Sequence, residues 1–266
     1  MNWKQTLFWS FSAAAIFYYF LLFGVFVFVG QEEMQLFIPE WWYIREFLFQ
    51  PGGFCAVAGQ WIIQYYRQPM SAVVFHTVLL VGCGFMVYRI LRCFSDKTYL
   101  LFLSLLPVLY LVKMSIHGEY LVDGTVGVVL MLLALSVSLK VRRAGSIAGY
   151  GIASTLFLCG LTGLLSVCYA FLYTLLALLR YKTSRQRLAA SACLIPALFI
   201  YLFSGWLGIP VPLSDGWMPE AYLEIQRLPH YYMYRVWTFF TLSIVGVALF
   251  ARFVPVIGEK SKWMDR

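Results

Sequence analysis

The stretch Ile147-Ala-Gly-Tyr-Gly-Ile-Ala-Ser-Thr-Leu-Phe-Leu-Cys-Gly-Leu-Thr-Gly-Leu-Leu-Ser-Val-Cys-Tyr-Ala-Phe-Leu-Tyr-Thr-Leu-Leu-Ala-Leu-Leu179 carries no charge and is followed at once by Arg180. It forms either one long helix or two. Near its middle stands Cys159-Gly160-Leu161-Thr162-Gly163, and glycines at that spacing favour a tight turn. The basic residues point the same way. If 147–162 and 164–179 each cross a membrane, Arg180, Lys182, Arg185 and Arg187 share a side with Lys140, Arg142 and Arg143. If the whole stretch crosses once, the two clusters are split, against the rule that Lys and Arg gather on the cytoplasmic side.

Crossing roughly 30 Å of hydrocarbon takes about 20 apolar residues, with about 17 as the lower limit. Beyond the glycine turn, the runs 7–29, 70–88, 98–113, 121–139, 188–204 and 235–251 reach or approach that length. The expected fold is all-α: a polytopic transmembrane helix bundle of about eight spans, making a single integral membrane domain over 1–266. With the N-terminus inside, the inner segments hold Lys4, then Arg89, Arg92 and Lys97, then Lys140, Arg142 and Arg143, then Arg180, Lys182, Arg185 and Arg187, then Arg252, Lys260, Lys262 and Arg266. That is fifteen of the twenty basic residues, and it sets both ends in the cytoplasm. Nine of the twelve acids, Glu32, Glu33, Glu40, Glu46, Glu119, Asp123, Asp215, Glu220 and Glu224, fall outside. The first run is longer than a signal-peptide core and ends in Val29-Gly30-Gln31-Glu32-Glu33 rather than a small-x-small site, so it is expected to stay attached as a helix.

Composition agrees with this threading. The chain is 62% hydrophobic and 12% charged, against about 25% charged in an ordinary soluble domain. Such a chain cannot clothe itself in polar surface. The net charge of +8 lies in short clusters between apolar runs rather than in an aromatic-studded basic patch, so nucleic acid is not an expected partner and the lipid bilayer is. Cys55, Cys83, Cys93, Cys159, Cys168 and Cys193 show no paired metal-ligand spacing and read as small packing residues. Phosphate-cradling loops, nucleophile elbows and His-Glu-x-x-His helices are missing from the sequence.

Two long external loops are expected, 30–69 and 205–234, with a short one at 113–123. In the first, residues 33–49 and 54–67 each read as a helix, separated by Pro51-Gly52-Gly53. Trp41, Trp42, Tyr43, Trp61, Tyr65 and Tyr66 favour the headgroup layer, which predicts two interfacial helices. In the second, Pro219 suits the first turn of a short helix through about residue 228, and His230 precedes a tyrosine cluster.

Three constellations can carry chemistry. Glu32-Glu33 follows the first run directly, where paired carboxylates can hold a divalent metal or supply a general base. The competing reading makes them acids in the first turn of a helix, complementing its dipole. Lys113, His117, Glu119 and Asp123 crowd into eleven residues beside hydrocarbon, where ionisable groups are costly. Lys113 or His117 can meet a phosphate, and Glu119 or Asp123 a proton or metal. Alternatively, Lys113 snorkels to the headgroups and Asp123 caps the next span. Arg235, with His230 nearby, can hold a lipid phosphate or simply anchor the last span. His76, about two turns inside the second run, reads as a neutral histidine hydrogen-bonded to another helix.

Glu33-Met34-Gln35-Leu36-Phe37, the Tyr43 region, Pro51-Gly52-Gly53-Phe54, Gln60 to Gln64 and Pro69 resemble the opening of an uncharacterised family of polytopic inner-membrane proteins from Bacteroidota. The likeness continues through His117 to Gly124, about the first half of the chain, and implies a bacterial inner-membrane location. The members compared are longer, so the chain reads as a short form or an incomplete one. In layout the chain is also similar to membrane glycosyltransferases of the class C fold, where an acid opens a large external loop bearing two surface helices and a second short loop adds another acid. That resemblance implies transfer of a sugar from a polyprenyl-phosphate carrier, with Glu32 or Glu33 matching the first acid and Glu119 or Asp123 the second. Both first-loop candidates are Glu where those enzymes often use Asp, and no soluble acceptor-binding domain follows. A transporter or lipid flippase, and a non-catalytic envelope assembly subunit, are the competing expectations.

Overall fold

The computed structural model describes residues 3–34, 37–95, 97–117, 120–203 and 236–252. Among these residues there are helices and turns and no strands. The helices are α1 (Trp3–Phe23), α2 (Val25–Met34), α3 (Trp41–Leu48), α4 (Gly53–Ile63), α5 (Pro69–Leu91), α6 (Leu100–Met114), α7 (Val122–Ser138), α8 (Ala144–Thr162), α9 (Leu165–Arg180), α10 (Ser184–Ser191) and α11 (Leu194–Leu202). A further helix, α12, runs over Val236–Arg252, and a 3-10 turn at Gln64–Arg67 links α4 to α5.

Three of them, α1, α5 and α8, are long and apolar enough to cross a membrane, while α6, α7, α9 and α12 are apolar but shorter. Their outward surfaces are apolar too: Phe11 on α1 is 74% exposed and Phe157 on α8 69%. Water would penalise such surfaces over so large an area. Hydrocarbon does not, and this is the construction of a membrane protein. Inside the helices, Ser12, Thr77, Thr155, Thr162 and Thr174 give their hydroxyl protons to carbonyls of the preceding turn at 2.7–2.9 Å, which satisfies them without a partner helix.

Every described apolar run is helical, with two breaks. The first run divides at Gly24, although Gly24 N–H still bonds Phe20 O at 2.8 Å and Phe28 N–H bonds Gly24 O at 3.0 Å, so helical hydrogen bonding carries across the division. The run 188–204 falls partly on α10 and partly on α11, with a break at Ala192 and Cys193. The stretch that opened the question, 147–179, is two helices: Gly163 takes φ +61°, a conformation open to glycine, and reverses the chain between α8 and α9.

The first loop departs from expectation. A helix over 33–49 is replaced by α2 continuing to Met34, a non-helical segment at 37–40, and the shorter α3. The second predicted helix is not a surface element apart from the rest. α4 buries Gly53, Cys55, Gly59, Ile62 and Ile63 and packs on α7 and α8. Its sequence, Gly-Phe-Cys-Ala-Val-Ala-Gly-Gln-Trp-Ile-Ile, is apolar nearly all round, which suits burial better than an interface. Among the described helices only α3 has no buried residue, and it exposes Trp41 and Trp42.

α3 and α4 form a hairpin with Pro51-Gly52-Gly53 at its tip. Gly52 is left-handed at φ +83°, and a side chain on Gly53 would overlap the Phe47 carbonyl. The tip rests on the α8–α9 turn: Gly52 N–H donates to Gly160 O at 3.1 Å, and a Cβ on Gly52 would lie 3.3 Å from Gly163 N. Two glycine turns about a hundred residues apart thus share one contact.

Candidate functional site

The described site residues gather where α2 ends and α7 begins. Glu32 and Glu33 lie in the last turn of α2, not in the first turn of a following helix. The dipole argument therefore reverses. The C-terminal end of a helix carries partial negative charge, so carboxylates there gain nothing from the backbone. Glu32 is half-buried, and the Glu33 side chain lies outside the described residues.

The adjacent Gln31 is 1% exposed and donates from Nε2 to Tyr120 O at 3.0 Å. That bond ties the end of α2 to the α6–α7 connection, three residues before Asp123. Tyr120 is fully buried; its hydroxyl accepts from Thr125 Oγ1 at 3.2 Å, and burial pushes it above its ordinary pKa, so it stays neutral. Gln31 Oε1 is buried without a hydrogen-bond partner.

Asp123 occupies the first turn of α7, partly buried, and one carboxylate oxygen accepts from Gly124 N–H at 2.6 Å. The capping position itself is held by Leu121, which makes no side-chain cap bond. Asp123 thus satisfies a backbone N–H in the first turn of α7. α4 holds it closely: a Cβ on Gly59 would lie 2.6 Å from Asp123 Cβ and 3.0 Å from its Cα and N. One turn along each helix, a Cβ on Gly127 would lie 3.7 Å from Cys55 Sγ. Rising residue numbers on α4 meet falling numbers on α7, so the two helices are antiparallel and the hairpin tip points the way α7 runs.

Lys113 is exposed in the last turn of α6, as a snorkelling lysine would be. His117 is exposed in the α6–α7 connection, where its carbonyl accepts from Tyr120 N–H at 2.9 Å. Glu119, His230 and Arg235 lie outside the described residues, as does the whole loop 205–234. The structure thus brings the Glu32 stretch and the Asp123 stretch together. Among the described residues no three His, Cys, Asp or Glu side chains cluster as metal ligands.

Below this end sits a buried aromatic nest. His76 is fully buried, Tyr66 Oη lies 2.7 Å from its Nε2, and Phe28 stacks on it with centroids 4.3 Å apart at 10°. The expectation of a neutral histidine bonded to another element is met by Tyr66, from the 3-10 turn. Sequence reading passed over Gln31, Gly59 and Tyr120. The visible signals were an amide closing an apolar run and a glycine inside a helix, neither of which names its partner.

No curated protein and no solved structure matches the chain. The profile of a family of unknown function (DUF6057) matches residues 1–265, and the chain belongs to that family.

Proposed function

We propose that the chain crosses the bacterial inner membrane eight times with both ends in the cytoplasm, and that it transfers a sugar from a polyprenyl-phosphate carrier at the outer face. The observation that carries the site is the Gln31–Tyr120 bond, which ties the end of α2 that bears Glu32 and Glu33 to the stretch bearing Asp123. In the reaction, the bond from the sugar's anomeric carbon to the carrier phosphate breaks, a bond to the acceptor oxygen forms, and the acceptor's proton passes to a carboxylate. Glu32 or Glu33 takes that proton, Glu119 or Asp123 orients the acceptor, and Lys113 and His117, with His230 and Arg235, receive the departing phosphate. Purified protein carrying Glu32→Gln and Glu33→Gln is expected to lose at least about 100-fold in transfer from a polyprenyl-linked donor. Unchanged transfer would remove the assignment.

The threading has its own support. The turns 51–53 and 160–163 touch, and both belong to the outer side in this scheme. The connections near Val141 and Tyr181 touch, and both belong to the inner side. In a Cys93→Ser, Cys159→Ser background, Glu46→Cys is expected to react with an impermeant maleimide in intact cells and Arg142→Cys only after permeabilisation. Labelling of both from outside would collapse the map.

One observation favours a second reading, a transporter or flippase: the α3–α4 hairpin dips along α7 as a pair of half-length helices, a device of transport sites. Substrate movement across reconstituted vesicles without a covalent product would select it.

A further inference from the structure

From Gly124 to Ser214 the chain contains no Asp or Glu, yet it holds Lys140, Arg142, Arg143, Arg180, Lys182, Arg185 and Arg187. Folding brings these cations together. Tyr181 Oη donates to Val141 O at 2.8 Å, Gln186 Nε2 to Arg142 O at 2.7 Å, and Arg187 Nε to Tyr181 O at 2.8 Å, so the α7–α8 and α9–α10 connections form one rim. Asp123 lies at the opposite end of α7, about 25 Å away along a helix rising 1.5 Å per residue. Lys140, Arg142, Arg143, Lys182 and Arg185 are exposed, and Arg180 keeps a buried Nη1 with no hydrogen-bond acceptor among the described residues.

Such a concentration of like charge is costly without a counter-charge, and the described residues from Gly124 to Phe203 hold no carboxylate to supply one. What continues from it is apolar. Leu188 lies three residues beyond Arg185 on α10, and Ile195, Phe199 and Leu202 extend along α11, all exposed. Cations set beside an outward apolar stripe match a molecule with an anionic head and hydrocarbon tails. A soluble phosphate would use the first part and leave the second idle.

We propose that this rim binds an anionic phospholipid, its phosphate held by Arg142, Arg143 and Arg185 and its acyl chains lying along Leu188, Ile195 and Phe199. Guanidinium groups suit this role because their planar fork meets phosphate oxygens in pairs, and basic pockets between spans on the cytoplasmic side are where such head groups dock. The site stands at the end of the bundle away from Asp123 and needs no transferase activity.

The test uses the full chain purified in a zwitterionic detergent, melted with phosphatidylglycerol, phosphatidylcholine or inorganic phosphate at matched concentration. Phosphatidylglycerol is expected to raise Tm by about 4 °C over phosphatidylcholine, and Arg142→Gln, Arg143→Gln, Arg185→Gln together to erase that increment. Arg45→Gln, Arg67→Gln, which removes exposed charge elsewhere, should keep it. Equal stabilisation by phosphatidylcholine, full stabilisation by phosphate alone, or an increment that survives the triple change would each overturn the proposal. Mass spectrometry of lipid retained by the unaltered protein decides independently of any variant: enrichment of anionic over zwitterionic lipid above the membrane's own ratio supports it, and no enrichment overturns it.

Discussion

Gly59→Ala is expected to destabilise the protein by about 1–3 kcal/mol and to disable the outer site along with it. The added methyl would stand 2.6 Å from Asp123 Cβ and 3.0 Å from Asp123 N and Cα. Two of those three atoms are backbone, so no rotamer change relieves the overlap. α4 must instead retreat from the first turn of α7, which loosens Asp123 and lifts the tip from Gly160 and Gly163. Thermal unfolding in detergent measures the cost. The informative control is Gly82→Ala on α5, where a Cβ meets nothing within 4 Å. It should be neutral or slightly stabilising, since alanine favours a helix over glycine by about 1 kcal/mol. Equal behaviour of the two variants would mean that α4 is not seated on α7 as described.

Tyr66→Phe is expected to cost about 1–3 kcal/mol, because it strips the fully buried His76 of its 2.7 Å partner. His76 Nδ1 already has no partner, so both ring nitrogens would then be stranded in an apolar nest. His76→Phe on the same background should recover part of the loss, since it removes the stranded groups and keeps an aromatic ring against Phe20 and Phe28. A double-mutant cycle on Tm reads the coupling directly. Strict additivity would show that the hydroxyl and the imidazole do not act on each other.

Alternate placements of the carboxylates also separate what is positional from what is chemical. The first-turn reading of Glu32 and Glu33 failed because α2 continues through Met34, beyond the end of the apolar run at Val29. Nothing in Gly30-Gln31-Glu32-Glu33 breaks a helix strongly, and hydropathy reports where apolar residues stop, not where hydrogen bonding stops. The helix expected over 54–67 ends at Ile63 and buries one side on α7 and α8, for a related reason. Its Trp and Tyr residues match a headgroup layer, but Trp61 and Tyr65 are exposed while Cys55, Gly59, Ile63 and Tyr66 face inward. Aromatic content counts residues, and the side they occupy depends on what the helix meets.

Hydropathy and charge alone determined that the chain is helical, that its helices are apolar on the outside, and that 147–179 folds as two of them. These are local or summed properties: length of apolar run, glycine spacing, and which segments carry Lys and Arg. Only tertiary structure decided that Pro51-Gly52-Gly53 rests on the Gly163 turn, that Gly59 admits Asp123, and that Gln31 ties α2 to Tyr120. Each of these is a contact between segments far apart in the chain, and a glycine or glutamine carries no mark of the partner it meets. Close approach is set by the shapes of two elements at once, so it becomes visible only when both are in place.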